Sequence, residues 1–169
     1  ASDMENALRM NADCVAVQTF IGAPGESRSL ELLARTADAG TRYGVPTLGV
    51  VAVGKEMERT EKFFLLATRV LAENGANIVK SYYCEGFERV AAACPVPIVI
   101  AGGKKLPEPE ALEMAYKAIR EGAHGVDMGR NIFQSDCPAG MAQAIGKVVH
   151  ENYTASQAYE VYQEIKNQK

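Results

Sequence analysis

Short apolar runs and longer amphipathic stretches alternate along the chain. The runs cover residues 14–20, 46–53, 76–82, 95–101 and 124–128. Each is short and mostly rich in Val and Ile, the pattern of strands in a parallel sheet buried by flanking helices. The stretches between them carry helical spacing. Leu30, Leu33 and Ala37 share one face of a helix that opens at Glu26 or Ser27, includes Leu32 and Thr36, and ends near Gly40 or Gly44. Phe63, Phe64, Ala67, Val70 and Leu71 share a face of the next, which stops at Asn74-Gly75. Residues 87–93 predict a short helix. Pro107 suits the first turn of another, running through Leu112, Ala115 and Ile119 to Gly122. Residues 141–150 and 155–165 predict the last two, and residues 4–10 the tail of a helix with Ala7 and Leu8 turned inward.

Strand, loop and helix thus follow one another five times, at intervals of roughly 20–30 residues, the size of a βα unit. Glycines and polar residues gather after the strands. That arrangement predicts a parallel α/β fold with its site at the carboxyl ends. A closed (β/α)8 TIM barrel needs eight such units over about 250 residues. The chain reads as opening in mid-helix, and Ala1-Ser2-Asp3-Met4 does not read as a natural start. We therefore expect the carboxyl-terminal five βα units of a barrel, as a single domain over residues 1–169 with an extra helix at 154–167. A doubly wound open sheet is the structural alternative.

Composition narrows the function. The apolar fraction is 47% and the net charge −3, with no basic cluster of the kind nucleic acids require. Cys14, Cys84, Cys94 and Cys137 form no CxxC pair and read as scattered reduced thiols of a cytoplasmic protein. His124 and His150 are too isolated for a zinc site, so no metal is expected. No apolar run approaches the ~20 residues of a membrane helix, and no signal peptide is visible.

Lys80 stands out. It ends the apolar run Ala76-Asn77-Ile78-Val79, and Tyr82 and Tyr83 follow Ser81. A lysine inside a buried strand is costly unless its ammonium reaches water, a counter-ion or a ligand. At the carboxyl end of a barrel strand it opens onto the face where such folds keep their chemistry. One reading is an imine-forming lysine, the other a lysine that snorkels at a strand end. Imine chemistry needs the neutral amine, and an unperturbed lysine with a pKa of about 10.4 is almost wholly charged at pH 7. Burial or a nearby cation must lower it.

Two glycine features follow the last two strands: Ala101-Gly102-Gly103-Lys104-Lys105 and Gly129-Arg130-Asn131-Ile132-Phe133. Glycines let backbone N–H groups approach an anion, and barrels often hold phosphate in the loops after strands seven and eight. Arg130 can add a bidentate contact. Lys104 and Lys105 are weaker candidates, since exposed loop lysines usually only solvate.

Three segments carry a family resemblance: residues 78–90, with Lys80 and Gly86-Phe87-Glu88-Arg89; residues 94–107, with Gly102-Gly103; and residues 125–136, with Gly129-Arg130. Together they resemble the class I, DeoC/FbaB-type aldolases, and within them the autoinducer-2 phosphate thiolases. The resemblance implies an eight-stranded barrel in which Lys80 is the Schiff-base lysine and Gly102, Gly103, Gly129 and Arg130 bind the substrate phosphate. It implies transfer of an acetyl group from a phosphorylated pentanedione to coenzyme A as co-substrate, yielding acetyl-CoA and dihydroxyacetone phosphate. It also implies a ring-like homo-oligomer without a bound cofactor. The archaeal-type fructose-bisphosphate aldolases, a sister group, carry a catalytic tyrosine near the end of the strand before the lysine. Here that strand ends Val50-Val51-Ala52-Val53. A class I aldolase acting on a sugar phosphate and a non-catalytic phosphate-ligand module remain the alternatives.

Other features read structurally. Cys84 has no histidine partner and reads as a buried thiol. Asp127 is a structural residue that orients Arg130 or the backbone. Glu56, Glu58, Arg59, Glu61 and Lys62 read as the solvated start of a helix. Tyr159, Val161, Tyr162 and Ile165 form an apolar stripe for the barrel's base or a neighbouring subunit.

Overall fold

Most helices bury the apolar face that their spacing predicts; the first departs from it, since Leu8, expected inward, is 39% exposed while Met4 and Ala7 are buried. A computed structural model describes residues 3–54, 57 and 59–168. These fall into two units, Ala1–Ile98 and Val99–Lys169.

The first unit runs α1 (Met4–Arg9), β1 (Val15–Thr19), α2 (Glu26–Tyr43), β2 (Thr47–Val51), α3 (Glu61–Glu73), β3 (Ile78–Tyr82) and α4 (Phe87–Ala93). The three strands pair in parallel in chain order, with Gln18 beside Val50 and Val50 beside Lys80. Asn77 sets the register of the second pair. Its Oδ1 accepts from Thr47 N at 2.8 Å and its own N–H donates to Thr47 O at 2.9 Å. Val79 N–H donates to Pro97 O at 3.0 Å, just ahead of the next strand.

The two strand faces differ. Val17, Thr19, Thr47, Val51, Val79 and Ser81 are buried, Val79 and Ser81 completely at 0%. Leu48, Val50, Ile78, Lys80 and Tyr82 are only half-buried, and Ala16 and Gln18 are exposed. The sequence reading took these strands as buried by helices, and that holds for one face. α3 packs on β2, β3 and α4, and α2 on β1 and β2. Phe64, Ala67 and Leu71 of α3 are fully buried, whereas Leu32 of α2 points to solvent because Ser29, Leu33, Ala37 and Gly40 form the inner stripe.

The second unit contains nearly all of β4 (Ile98–Ala101), then α5 (Glu108–Arg120), β5 (Gly125–Asp127), α6 (Arg130–Phe133), α7 (Pro138–Glu151) and α8 (Ala155–Asn167). β4 and β5 are parallel, with Ala101 beside Asp127. Leu112, Ala115, Met141, Ala144, Val148, Ala158 and Tyr162 form its core between α5, α7 and α8. The tyrosine stripe of α8 therefore turns Tyr162 inward, at 1% exposure.

Four boundaries depart from the sequence reading. Residues 4–10 are not the tail of a helix: α1 starts at Met4, where Asp3 Oδ1 accepts from Asn6 N at 2.8 Å and caps it. α7 begins at Pro138 rather than near residue 141, with the proline in its first turn. Pro107 is the N-cap of α5, and Pro109 takes the first-turn role. α3 begins at Glu61, after Thr60, whose side chain caps Phe63 N at 3.3 Å. Arg59 thus lies ahead of that helix. Lys55, Glu56 and Glu58 fall outside the described residues.

Candidate active site

Lys80 lies in β3 two residues before the strand's end. Parity puts it on the half-buried face with Ile78 and Tyr82, while Val79 and Ser81 point into the buried layer. Its register partner Val50 is apolar. Gln18, next across the sheet, is polar and exposed, and sequence reasoning did not single it out.

The segments after β2 and β3 line an open cleft of about 550 Å³. Arg59, Glu61, Cys84, Glu85, Glu88 and Arg89 supply most of its polar wall. The Arg59 guanidinium stands 4.3 Å above the centre of the Tyr82 ring, a cation–π contact, and Arg89 pairs with Glu61. Tyr82 also packs on Phe64, and Tyr83 on Phe87 with ring centres 5.7 Å apart. The two tyrosines thus take different packing partners. Cys84 is buried at 8% exposure.

Both glycine features lie in the second unit and meet there. Gly102 and Gly103 follow β4, and Gly129 and Arg130 open α6 after β5. Gly103 has φ +64°, the left-handed region that a side chain disfavours. At Gly102 the reason is space: a Cβ would come within 2.8 Å of Asn131 Nδ2 and 3.1 Å of Met128 Cβ. Asn131, fully buried, donates from Nδ2 to Gly102 O and accepts at Oδ1 from Leu106 N, each at 2.7 Å. The side chain of the second loop therefore holds both ends of the first. Sequence reasoning passed over Asn131. Its signal was only an asparagine inside the Gly-Arg motif.

The lysines of the first loop differ. Lys105 Nζ is engaged by Glu108 at 2.7 Å and by Leu106 O at 2.8 Å. That pairing holds the Glu108 carboxyl below its usual pKa. Lys104 and Arg130 are exposed. Among the described residues no cluster of three His, Cys, Asp or Glu side chains converges as a metal site. All four cysteines are free thiols. Burial raises the pKa of the Cys94 thiol. No described helix is long and apolar enough to cross a membrane.

Parallel βα units with candidate residues near the strand ends define an α/β protein, and solved structures place its fold among the barrels. A Schiff-base-forming fructose-1,6-bisphosphate aldolase aligns over 88% of this chain and 63% of its own, with TM-score 0.83 and 24% identity. The aldolase of Slackia heliotrinireducens aligns over 96% of this chain and 58% of its own, with TM-score 0.85 and 22% identity. The fold is that of the class I aldolase barrels, and the chain covers part of it.

Residues 1–135 match the DeoC/LacD family aldolases, and the chain belongs to that family. Among curated relatives, the 3-hydroxy-5-phosphonooxypentane-2,4-dione thiolase of Enterobacter sp. (strain 638) is 58% identical over 164 residues, 96% of this chain and 56% of that protein. The thiolase of the same name from Photorhabdus laumondii is 58% identical over 160 residues, 94% of this chain and 55% of that protein. The chain thus spans about half the length of the curated relatives it matches.

Proposed function

We propose that the whole protein is a lysine Schiff-base thiolase acting on 3-hydroxy-5-phosphonooxypentane-2,4-dione and coenzyme A. The observation that carries this reading is Lys80, placed near the carboxyl end of β3 on the half-buried face, in a chain 58% identical to relatives bearing that name. The residue roles are our assignment. Lys80 forms the imine. Gly102 and Gly103, with Gly129 and Arg130, bind the phosphate through backbone N–H groups and a guanidinium.

The chemistry balances as follows. The neutral Lys80 amine adds to the ketone next to the phosphorylated carbon, and water leaves to give the protonated imine. The coenzyme A thiolate attacks the other ketone. The C–C bond between that carbonyl and the hydroxyl-bearing carbon breaks, and its electron pair flows into the imine to form an enamine. Acetyl-CoA departs. A proton returns to the enamine carbon, and hydrolysis consumes the water released earlier, freeing dihydroxyacetone phosphate and Lys80. Coenzyme A is a co-substrate here. We place the protein in the cytoplasm as a ring-like homo-oligomer, following the family resemblance and the four free thiols.

Cleavage of a sugar phosphate, the second reading, draws on the aldolase neighbours. The apolar end of β2, Val50-Val51, weighs against it, because that strand offers no tyrosine as acid or base. The test is a borohydride trap on the intact protein with dihydroxyacetone phosphate, followed by peptide mapping. An adduct on Lys80 with coenzyme A-dependent acetyl-CoA formation supports the thiolase. An adduct without acetyl transfer supports an aldolase. Phosphate binding without any adduct overturns the imine mechanism and leaves a binding module.

A further inference from the structure

We infer that Asn131 is a positioning residue for substrate phosphate, acting by clasping the two glycine loops into one anion site. The inference rests on the phosphate reading of those loops. Asn131 is the third residue of the Gly129-Arg130-Asn131 run, yet its side chain is fully buried and spent on the other loop. It donates to Gly102 O and accepts from Leu106 N, each at 2.7 Å. These atoms bracket Gly103, Lys104 and Lys105, the stretch whose N–H groups can turn toward an anion. A side-chain amide carries its donor and its acceptor on separate atoms, so it can donate to one backbone carbonyl and accept from a distant N–H without bringing charge.

The fit is close on both sides. Gly102 has no room for a Cβ beside Asn131 Nδ2, and Gly103 sits at φ +64° immediately after the clasp. Arg130 precedes Asn131 and is exposed, so one short helix offers the guanidinium outward and anchors the facing loop inward. Phosphate recognition by backbone donors depends on their spacing, and a displacement of about 1 Å can cost about 100-fold. Asn131 fixes that spacing without touching the ligand.

The test compares Asn131→Ser and Asn131→Leu with the unaltered intact protein and with Arg130→Ala. Both Asn131 variants are neutral, so no new charge opposes phosphate. Serine is smaller and keeps a polar group at the site, and is the variant to read if leucine does not fold. Two ketones are trapped with borohydride, dihydroxyacetone phosphate and dihydroxyacetone. Inorganic phosphate affinity is measured by calorimetry. The expected result is an affinity for phosphate and for the phosphorylated ketone weakened about 10- to 100-fold, with trapping of dihydroxyacetone within about twofold of the unaltered protein. Equal losses for both ketones would make Asn131 a fold residue only and overturn the inference. So would unchanged phosphate affinity in the Asn131 variants while Arg130→Ala loses it. If the unaltered protein shows no preference for the phosphorylated ketone and Arg130→Ala changes nothing, the phosphate reading fails and this inference falls with it.

Discussion

Val50 and Lys80 are register partners across β2 and β3, side by side on the half-buried face of the strands. Neighbouring parallel strands lie about 4.8 Å apart. The lateral neighbour of the candidate imine lysine is thus an isopropyl group, which offers neither charge nor proton.

A carboxylate at that position favours the charged ammonium and removes the nucleophilic amine. We expect Val50→Glu to slow imine trapping at neutral pH by about tenfold, equivalent to about 1.4 kcal/mol, and to move the rate profile to higher pH. Val50→Thr, nearly isosteric, stays within about twofold of that reference rate. A Val50→Glu profile that overlays that of the parent protein counts against Lys80 as the reacting amine.

The Lys105–Glu108 pair sets a small acid dependence. Its side chains are 30% and 18% exposed. Glu108 has a depressed pKa because Lys105 donates to its carboxylate. The folded state therefore holds this proton less tightly than the unfolded chain. The pair's stabilisation is present above the ordinary carboxylate value and fades as pH falls through the lower, folded one. We expect about 0.5 kcal/mol to disappear on going from pH 7 to pH 3, and Glu108→Gln to lack that component. Asp136, held low by Lys166, titrates in both proteins and cancels in the difference. Urea midpoints across the pH range measure it, and identical slopes would refute it.

α8 is closed at its start by a reciprocal cap. Thr154 Oγ1 accepts from Gln157 N, and Gln157 Oε1 accepts from Thr154 N at 3.0 Å. Thr154→Ala removes the first of these and should lower stability by about 1 kcal/mol. Because α8 brings Tyr162 and Ala158 into the core, the loss should appear in the main unfolding transition. A variant with an unchanged urea midpoint would show that the cap is energetically idle.

Thiol reactivity reports burial directly. Cys14 is exposed, whereas Cys94 and Cys137 are 9% and 1% exposed. Desolvation raises the Cys94 pKa, so its nucleophilic thiolate is depleted as well as shielded. Native protein treated with a disulfide reagent at pH 8 should label Cys14 at once, and Cys94 and Cys137 only after urea is added. Rapid native labelling of Cys94, located by peptide mapping, would contradict its place in the fold.

Much of this was readable from local pattern. The five apolar runs are the five strands, and Lys80 lies on the strand end it was assigned. The glycine pairs fall after β4 and β5. The misreadings have a common cause. Pro138-Ala139-Gly140 looks like a loop, yet it opens α7. A Cβ at Gly140 would meet Cys137 Sγ at 3.2 Å, a tight contact, and Tyr162 Cδ2 at 3.4 Å, an ordinary one, so a small residue suits this close approach to α8. α8, which it approaches, lies far along the chain. Leu30 shares the predicted face of α2 but is only half-buried, because the inner stripe is set by Ser29, Leu33, Ala37 and Gly40. Asn131 was missed because its partners, Gly102 and Leu106, are 29 and 25 residues away.

Local pattern sufficed for the order of elements, the parallel α/β class and the strand parity that sets Lys80 apart from Val79 and Ser81. Those follow from spacing within a few residues, where backbone geometry dictates the period. Long-range packing settles which face of each strand is covered, that Lys105 is engaged by Glu108, and that one buried asparagine joins two glycine loops. A buried amide must find partners for its donors and acceptors, and which partners lie within reach is settled only when distant segments pack together.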